Sequence, residues 1–307
     1  MTAVRLAHIV QTATTPRVTS LLLPVVLTAT RALSPTVRLL RFAPLCGADA
    51  ARQFSRLSAA LPSDVDFSLP QGAPFLYEGG QWVDLLSPTV PQIGGFSFVS
   101  APDAPASLLA AVDTAASGEF DLAVKVGRAP PAVWAHAARV GALAAVRVGG
   151  ALTARTSLKS SDGSRWRHPR ALLIAGGVGI NPLYSIILEL AATRARGGDV
   201  PHITLLASFS TVAEFIFRDE LSALARGLLA GRLTVHATIT RCEDARAVDG
   251  LERGRLTHAR VAREVESGGG RGVAVVICGP PKMADDVVIA AKAAGVGGMD
   301  VSLERWW

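Results

Sequence analysis

Cysteine is scarce. The three residues, Cys46, Cys242 and Cys278, stand far apart in a chain of 307. That excludes a disulfide framework, and the spacing excludes zinc ribbons and plant-type iron–sulfur ligation within the chain. A reducing compartment fits this usage. The six histidines form no His-x-x-x-His or similar pair, so no protein-bound metal is expected. Long apolar runs are also missing. Mean hydropathy is +0.35 and half the residues are hydrophobic. Even so, the longest candidate, Leu21-Leu22-Leu23-Pro24-Val25-Val26-Leu27, is far shorter than the ~20 residues that span a bilayer, and it contains a proline. No integral membrane segment is expected, and the chain reads as soluble.

Acid is absent from residues 1–48, where Arg5, Arg17, Arg31, Arg38 and Arg41 supply five of the six net positive charges. The remainder is nearly balanced and has no basic stripe to follow a phosphate backbone, which excludes nucleic acid as a partner. A basic, acid-free opening rich in Ala, Thr and Ser has the composition of a mitochondrial transit peptide. Residues 1–30 are therefore a candidate targeting segment, with a mitochondrial location expected. The other reading makes part of this stretch the first strand of a folded domain in a cytoplasmic protein.

The length leaves room for two cores. Residues 44–76 have no clear period and read as a long loop. From there to about residue 150, short alternating runs (81–86, 95–99, 120–126, 144–148), with Val37 to Phe42 ahead of them, predict a small antiparallel barrel. A polar stretch at 156–169 marks a boundary, giving a barrel over 31–165 and a second domain over 166–307. In the second domain, runs at 171–175, 203–208, 234–239, 273–278 and 299–303 alternate with helical segments near 183–195, 214–229, 256–265 and 282–294. Leu183, Ile186, Ile187 and Leu190 form one apolar helix face. The pattern predicts α/β architecture, a five-stranded parallel, doubly wound sheet.

Three of those strands end in unusual residues. Ligands of open α/β sheets bind at the carboxyl ends of the strands, so the three clusters point to one nucleotide site. The first is Gly176-Gly177-Val178-Gly179-Ile180-Asn181-Pro182, where glycines permit close approach to a ligand and a helix start attracts phosphate. Asn181 is placed to cap that helix and Pro182 suits its first turn. Replacing Gly179 by valine should then block nucleotide binding and leave the fold intact. The second cluster is Cys278-Gly279-Pro280-Pro281-Lys282-Met283, and the third is Glu304-Arg305-Trp306-Trp307.

Together these motifs resemble the ferredoxin–NADP reductase superfamily, whose members carry Gly-Gly-x-Gly-Ile-x-Pro, then Cys-Gly-Pro-x-x-Met, then Glu-x-aromatic. In the barrel, Gly94-Gly95-Phe96-Ser97 and Ser100-Ala101-Pro102 stand where the family has Arg-x-Tyr-Ser and Ser-x-Pro. Gly80-Gln81-Trp82-Val83 precedes them. Pro130-Pro131-Ala132-Val133-Trp134 and the terminal Trp-Trp are most similar to the oxidoreductase NAD-binding domain-containing branch.

The resemblance implies an FAD-binding barrel and an NAD(P)H-binding domain. Phe96 would lie against the flavin ring and Ser97 near its N5. Cys278 would sit beside the nicotinamide C4, with Glu304 helping to orient the rings, so Ser97, Cys278 and Glu304 form the catalytic set. Trp306 or Trp307 would cover the other flavin face, and Thr240-Arg241 would stand at the 2′-phosphate. Electrons would pass to an unidentified acceptor, protein or small molecule.

Two departures carry a second reading. Gly94 replaces the family's pyrophosphate-clamping arginine, a loss worth roughly 10- to 100-fold in flavin affinity unless Lys125 or Arg147 compensates. Pro130 and Pro131 bring no N–H to the helix start that usually contacts the pyrophosphate. The second reading is a flavin-free, nucleotide-binding sensor or assembly protein.

Overall fold

The computed structural model describes residues 22–45, 75–102, 108, 118–241, 251–267 and 272–305. Cys46, Cys242, Trp306, Trp307 and most of the 44–76 loop lie outside them.

In the barrel, alternation divides side chains between two cores. Strands β1 (Leu23–Ala32), β2 (Val37–Pro44), β3 (Trp82–Ser87), β4 (Val90–Ser97), β5 (Phe120–Lys125) and β6 (Leu143–Gly149) form an antiparallel sheet in the order β4-β3-β6-β1-β2-β5. A bridge between Phe98 and Leu122 joins its two edges. Leu40, Phe42, Val83, Leu85, Leu122 and Val124 point to the barrel interior, together with Ala132 and Ala135 of helix α1 (Pro130–Ala137). The intervening Val37, Leu39, Trp82 and Ala123 point the other way, into a core shared with the second domain. Trp82 is thus a core residue. β3 is buried along its whole length and β5 as far as Val124, whereas β4 exposes Pro91, Gln92 and Ile93.

β1 starts at Leu23, inside the stretch read as a targeting segment and ahead of the expected boundary at residue 31. It lies between β2 and β6, with Val25 and Leu27 wholly buried. Pro24 is tolerated because it sits at the strand's beginning.

After the short helix α2 (Ala154–Leu158), β7 (Arg170–Gly176), β8 (His202–Phe209), β9 (Leu233–Ile239), β10 (Leu251–Arg253), β11 (Val273–Gly279) and β12 (Val301–Arg305) form a parallel sheet in the order β10-β9-β8-β7-β11-β12. The sheet therefore has six strands, against the five expected. β10 is three residues long and two of them are charged, so it has no periodicity to detect. Helix α3 (Ile180–Ala195) and α4 (Arg218–Arg226) belong with one face; α5 (His258–Glu266) and α6 (Pro281–Ala293) cover the other.

α3 is the central element. Its apolar face packs on the sheet as expected, yet nearly every residue from Ile180 to Leu190 is buried because the opposite face meets the barrel. Asn181 Nδ2 donates to the Ala123 carbonyl at 2.8 Å and Ser185 Oγ to that of Ser100 at 2.7 Å. Asn181 therefore does not cap α3: the N-cap position is Gly179, which has no side-chain bond. An amide at the second helical position reaches across the domain junction more readily than back to its own helix start.

Glu189, farther along α3, accepts from the Gly79 N–H at 2.7 Å. Burial pushes its carboxyl above the usual carboxylate range, against the Gly79 bond, and the nearby Glu78 charge adds to the rise. A raised native pKa contributes stability at low pH that is lost as pH rises through it. Glu189→Gln keeps an acceptor and carries no charge. It should lose this part of the pH dependence, its melting temperature gaining on that of wild type as pH rises above the usual carboxylate range, measured by thermal melts from acid to neutral pH.

Candidate nicotinamide-nucleotide site

The parallel registers align the strand ends along one edge. Gly176 is level with Ser208 of β8, and Ser208 with Thr238 of β9. On the other side Cys278 lies between Ala175 and Glu304. The described residues of the three sequence clusters therefore share one edge of the sheet.

A cleft of about 770 Å³ opens there, walled by Gly176, Gly177, Val178, Thr240, Arg241, Pro280 and Met283. Ser208 lines it from the end of β8, Ser210 and Glu214 from the β8–α4 connection, and Lys125 to Gly127 and Ala132 from the barrel. Residues that sequence reasoning did not single out complete the wall: Arg255, His258 and Asp286. Arg255 follows β10, which left no sequence signal, so its place at the cleft was not legible.

The motif glycines have different tasks. Gly177 has φ +55° and nothing within 4 Å of where a Cβ would stand, so it faces open cleft. A Cβ on Gly179 would instead lie 2.2 Å from the Cys278 carbonyl oxygen, so this glycine lets α3 sit on the end of β11. Gly176 and Gly279 both pack against Met283, whose sulfur would meet a Gly176 Cβ at 2.7 Å. Met283 thus fastens the first motif to the second. Ile180 and Pro182 are buried in the first turn of α3, behind the cleft wall.

Thr240 and Arg241 are held by backbone bonds from their N–H groups to Phe209 and Ser210 at 2.9 and 2.8 Å. Lys125 pairs with Glu214 at 3.1 Å and Lys282 with Asp286 at 3.2 Å. Among the described residues neither Arg241 nor Arg255 has an ionic partner. Burial would raise the Glu214 carboxyl, but the Thr36 hydroxyl (2.6 and 2.7 Å), Lys125 and Ser34 outweigh it and hold it below the usual range. The same contacts tie the cleft wall to the barrel's β1–β2 turn.

Cys278 is wholly buried, and half-buried Glu304 is its neighbour across the β11–β12 ladder. Arg305 pairs with Asp285. Phe96 and Ser97 are on β4, opposite Val83 and Trp82, and do not line this cleft.

The family model for the oxidoreductase NAD-binding domain matches residues 173–288, which span the cleft. Oxidoreductase NAD-binding domain-containing protein 1 of Xenopus tropicalis is 32% identical over 244 residues, covering 76% of this chain and 71% of that protein. The chain belongs to this family. The oxidoreductase NAD-binding domain-containing protein 1 of Homo sapiens is 30% identical over 275 residues, with 86% of this chain and 79% of that protein covered. A ferredoxin NADP+ reductase from Neisseria gonorrhoeae, solved with bound FAD and NADP, shares the fold at TM-score 0.63 and 16% identity, over 93% of this chain and 99% of that one. The family's nucleotide half is thus the part of the chain that carries the cleft, and its architecture is that of the ferredoxin–NADP reductases.

Proposed function

We propose that the chain is an NAD(P)H-linked oxidoreductase that takes the nicotinamide nucleotide at this cleft and passes reducing equivalents to a separate acceptor. The observation that carries this is the convergence of Gly176 to Val178, Thr240-Arg241 and Pro280 to Met283 on one cavity at the sheet's carboxyl edge. The diphosphate would meet the Gly177 turn and the uncapped start of α3, where backbone N–H groups and the helix dipole favour an anion. Cys278 and Glu304 would stand at the nicotinamide end. Calorimetric titration with NADPH and NADH tests the reading, followed by loss of NADPH absorbance when flavin is supplied. Absence of saturation below about 1 mM for both nucleotides would sink it.

Arg241 and Arg255 favour NADPH over NADH, since a 2′-phosphate would give both a charge-assisted partner. The double variant Arg241→Ala/Arg255→Ala should raise the KM for NADPH about 10- to 30-fold and alter that for NADH less than about threefold. Equal effects on the two nucleotides would remove these arginines from 2′-phosphate recognition.

FAD as a resident cofactor is the finer reading, supported by the FAD-bound structural neighbour and by Phe96 and Ser97 on β4. Gly94, Pro130 and Pro131 give the diphosphate end of FAD few cations and N–H donors. That misfit favours the second reading, nucleotide binding as a sensor or assembly function without a resident flavin. Flavin retained through desalting would decide against it.

A further inference from the structure

We infer that the barrel has no flavin diphosphate site: Phe96 and Pro131 form an apolar plug over Gly94 and the start of α1 is poor in donors, so any flavin it meets is held without diphosphate contact and no FAD is resident. The inference goes beyond the nicotinamide-nucleotide reading and does not depend on it.

A diphosphate needs cations or N–H donors. At position 94, a Cβ would lie 2.5 Å from the Phe96 ring and 2.6 Å from Pro131 Cβ. The Phe96 ring and Pro131 therefore close over the glycine, and half-buried Phe96 packs against the barrel core. Any side chain at 94 would have to displace both.

The start of α1 offers almost no donors. Pro130 and Pro131 have no N–H, and the Val133 N–H is spent on the Ala129 carbonyl at 3.0 Å. That leaves Ala132.

Most of the described barrel cations are committed elsewhere. Lys125 pairs with Glu214 and Arg147 with Asp84, at 3.1 and 2.7 Å, so both expected substitutes already hold a carboxylate. Arg41 pairs with Asp121 at 2.8 Å and Arg31 with Glu220 at 3.7 Å. Arg38 caps the far end of α1 through the Ala135, His136 and Ala138 carbonyls. Arg139 is exposed at that far end, and Arg128 is exposed on the turn before α1.

Equilibrium binding of riboflavin, FMN and FAD to the full chain, with NADPH titrated into the same samples, tests the inference. FAD should bind less than about tenfold more tightly than riboflavin, or no flavin should bind, and Arg128→Ala should leave the ratio unchanged. Gly94→Arg/Pro131→Ser restores a cation and an N–H. It should raise the preference for FAD over riboflavin at least about tenfold while keeping NADPH affinity.

A wild-type preference of about tenfold or more for FAD overturns the inference, as does a double variant that binds NADPH and gains no preference. If the double variant loses NADPH binding, the wild-type ratio and Arg128→Ala decide the matter. Failure of the wild type to bind NADPH would remove the proposed function and leave this inference standing.

Discussion

Valine at position 179 is expected to cost at least about 3 kcal/mol of stability, or roughly 6–12 °C in Tm for a chain of this size class. The added Cβ would stand 2.2 Å from the Cys278 carbonyl oxygen, 2.6 Å from its carbon and 2.9 Å from the Gly279 nitrogen. These are backbone atoms in a fully buried strand, so no side chain can swing aside. Relief requires lifting α3 off β11, and α3 is also the element that docks the barrel through Asn181 and Ser185. Nucleotide binding should fall with the fold, reversing the sequence-based expectation of lost binding in an intact protein. Thermal melts by circular dichroism check this; a Tm within about 2 °C of wild type would show that the packing at this turn is looser than described.

Aspartate at position 177 should have the opposite profile. Gly177 is in the left-handed region, where an L residue costs about 1–2 kcal/mol and aspartate is among the better tolerated. No atom lies within 4 Å of the new Cβ, so no core is disturbed. The carboxylate would project into the cleft where a phosphate is expected, replacing an open approach by like-charge repulsion. NAD(P)H affinity should drop at least about 100-fold, near 2.7 kcal/mol, with the fold retained. Gly177→Ala controls for backbone strain and should lose much less. Calorimetric titration of the folded variants reads the difference, and an unchanged Kd for Gly177→Asp would take the phosphate turn out of the proposed function.

These two glycines show where sequence reading stopped. The motif was legible, as were its strand and helix, because a buried run followed by glycines and an apolar periodicity is a local pattern. Which glycine faces ligand and which faces protein depends on β11, about a hundred positions away in the chain. Asn181 is a similar case. As a cap it satisfied every local rule, and its partner turned out to be a carbonyl on β5. β1 was left between two readings for the reverse reason: the acid-free opening matched a targeting segment as well as a first strand, and only its pairing with β2 and β6 identifies it as barrel.

By itself the sequence determined the pairing of an antiparallel barrel with a parallel α/β sheet, and the motifs that end the strands of that sheet. Each follows from short-range periodicity and turn chemistry, which are written in contiguous residues. Only the tertiary structure decided the rest: the separate tasks of Gly177 and Gly179, the presence of Arg255 at the cleft, and the engagement of Lys125 and Arg147 in ion pairs. The plug of Phe96 and Pro131 over Gly94 belongs with these. Contacts between segments far apart in the chain depend on how cores and charges are shared across the domain junction, and no local pattern encodes that sharing.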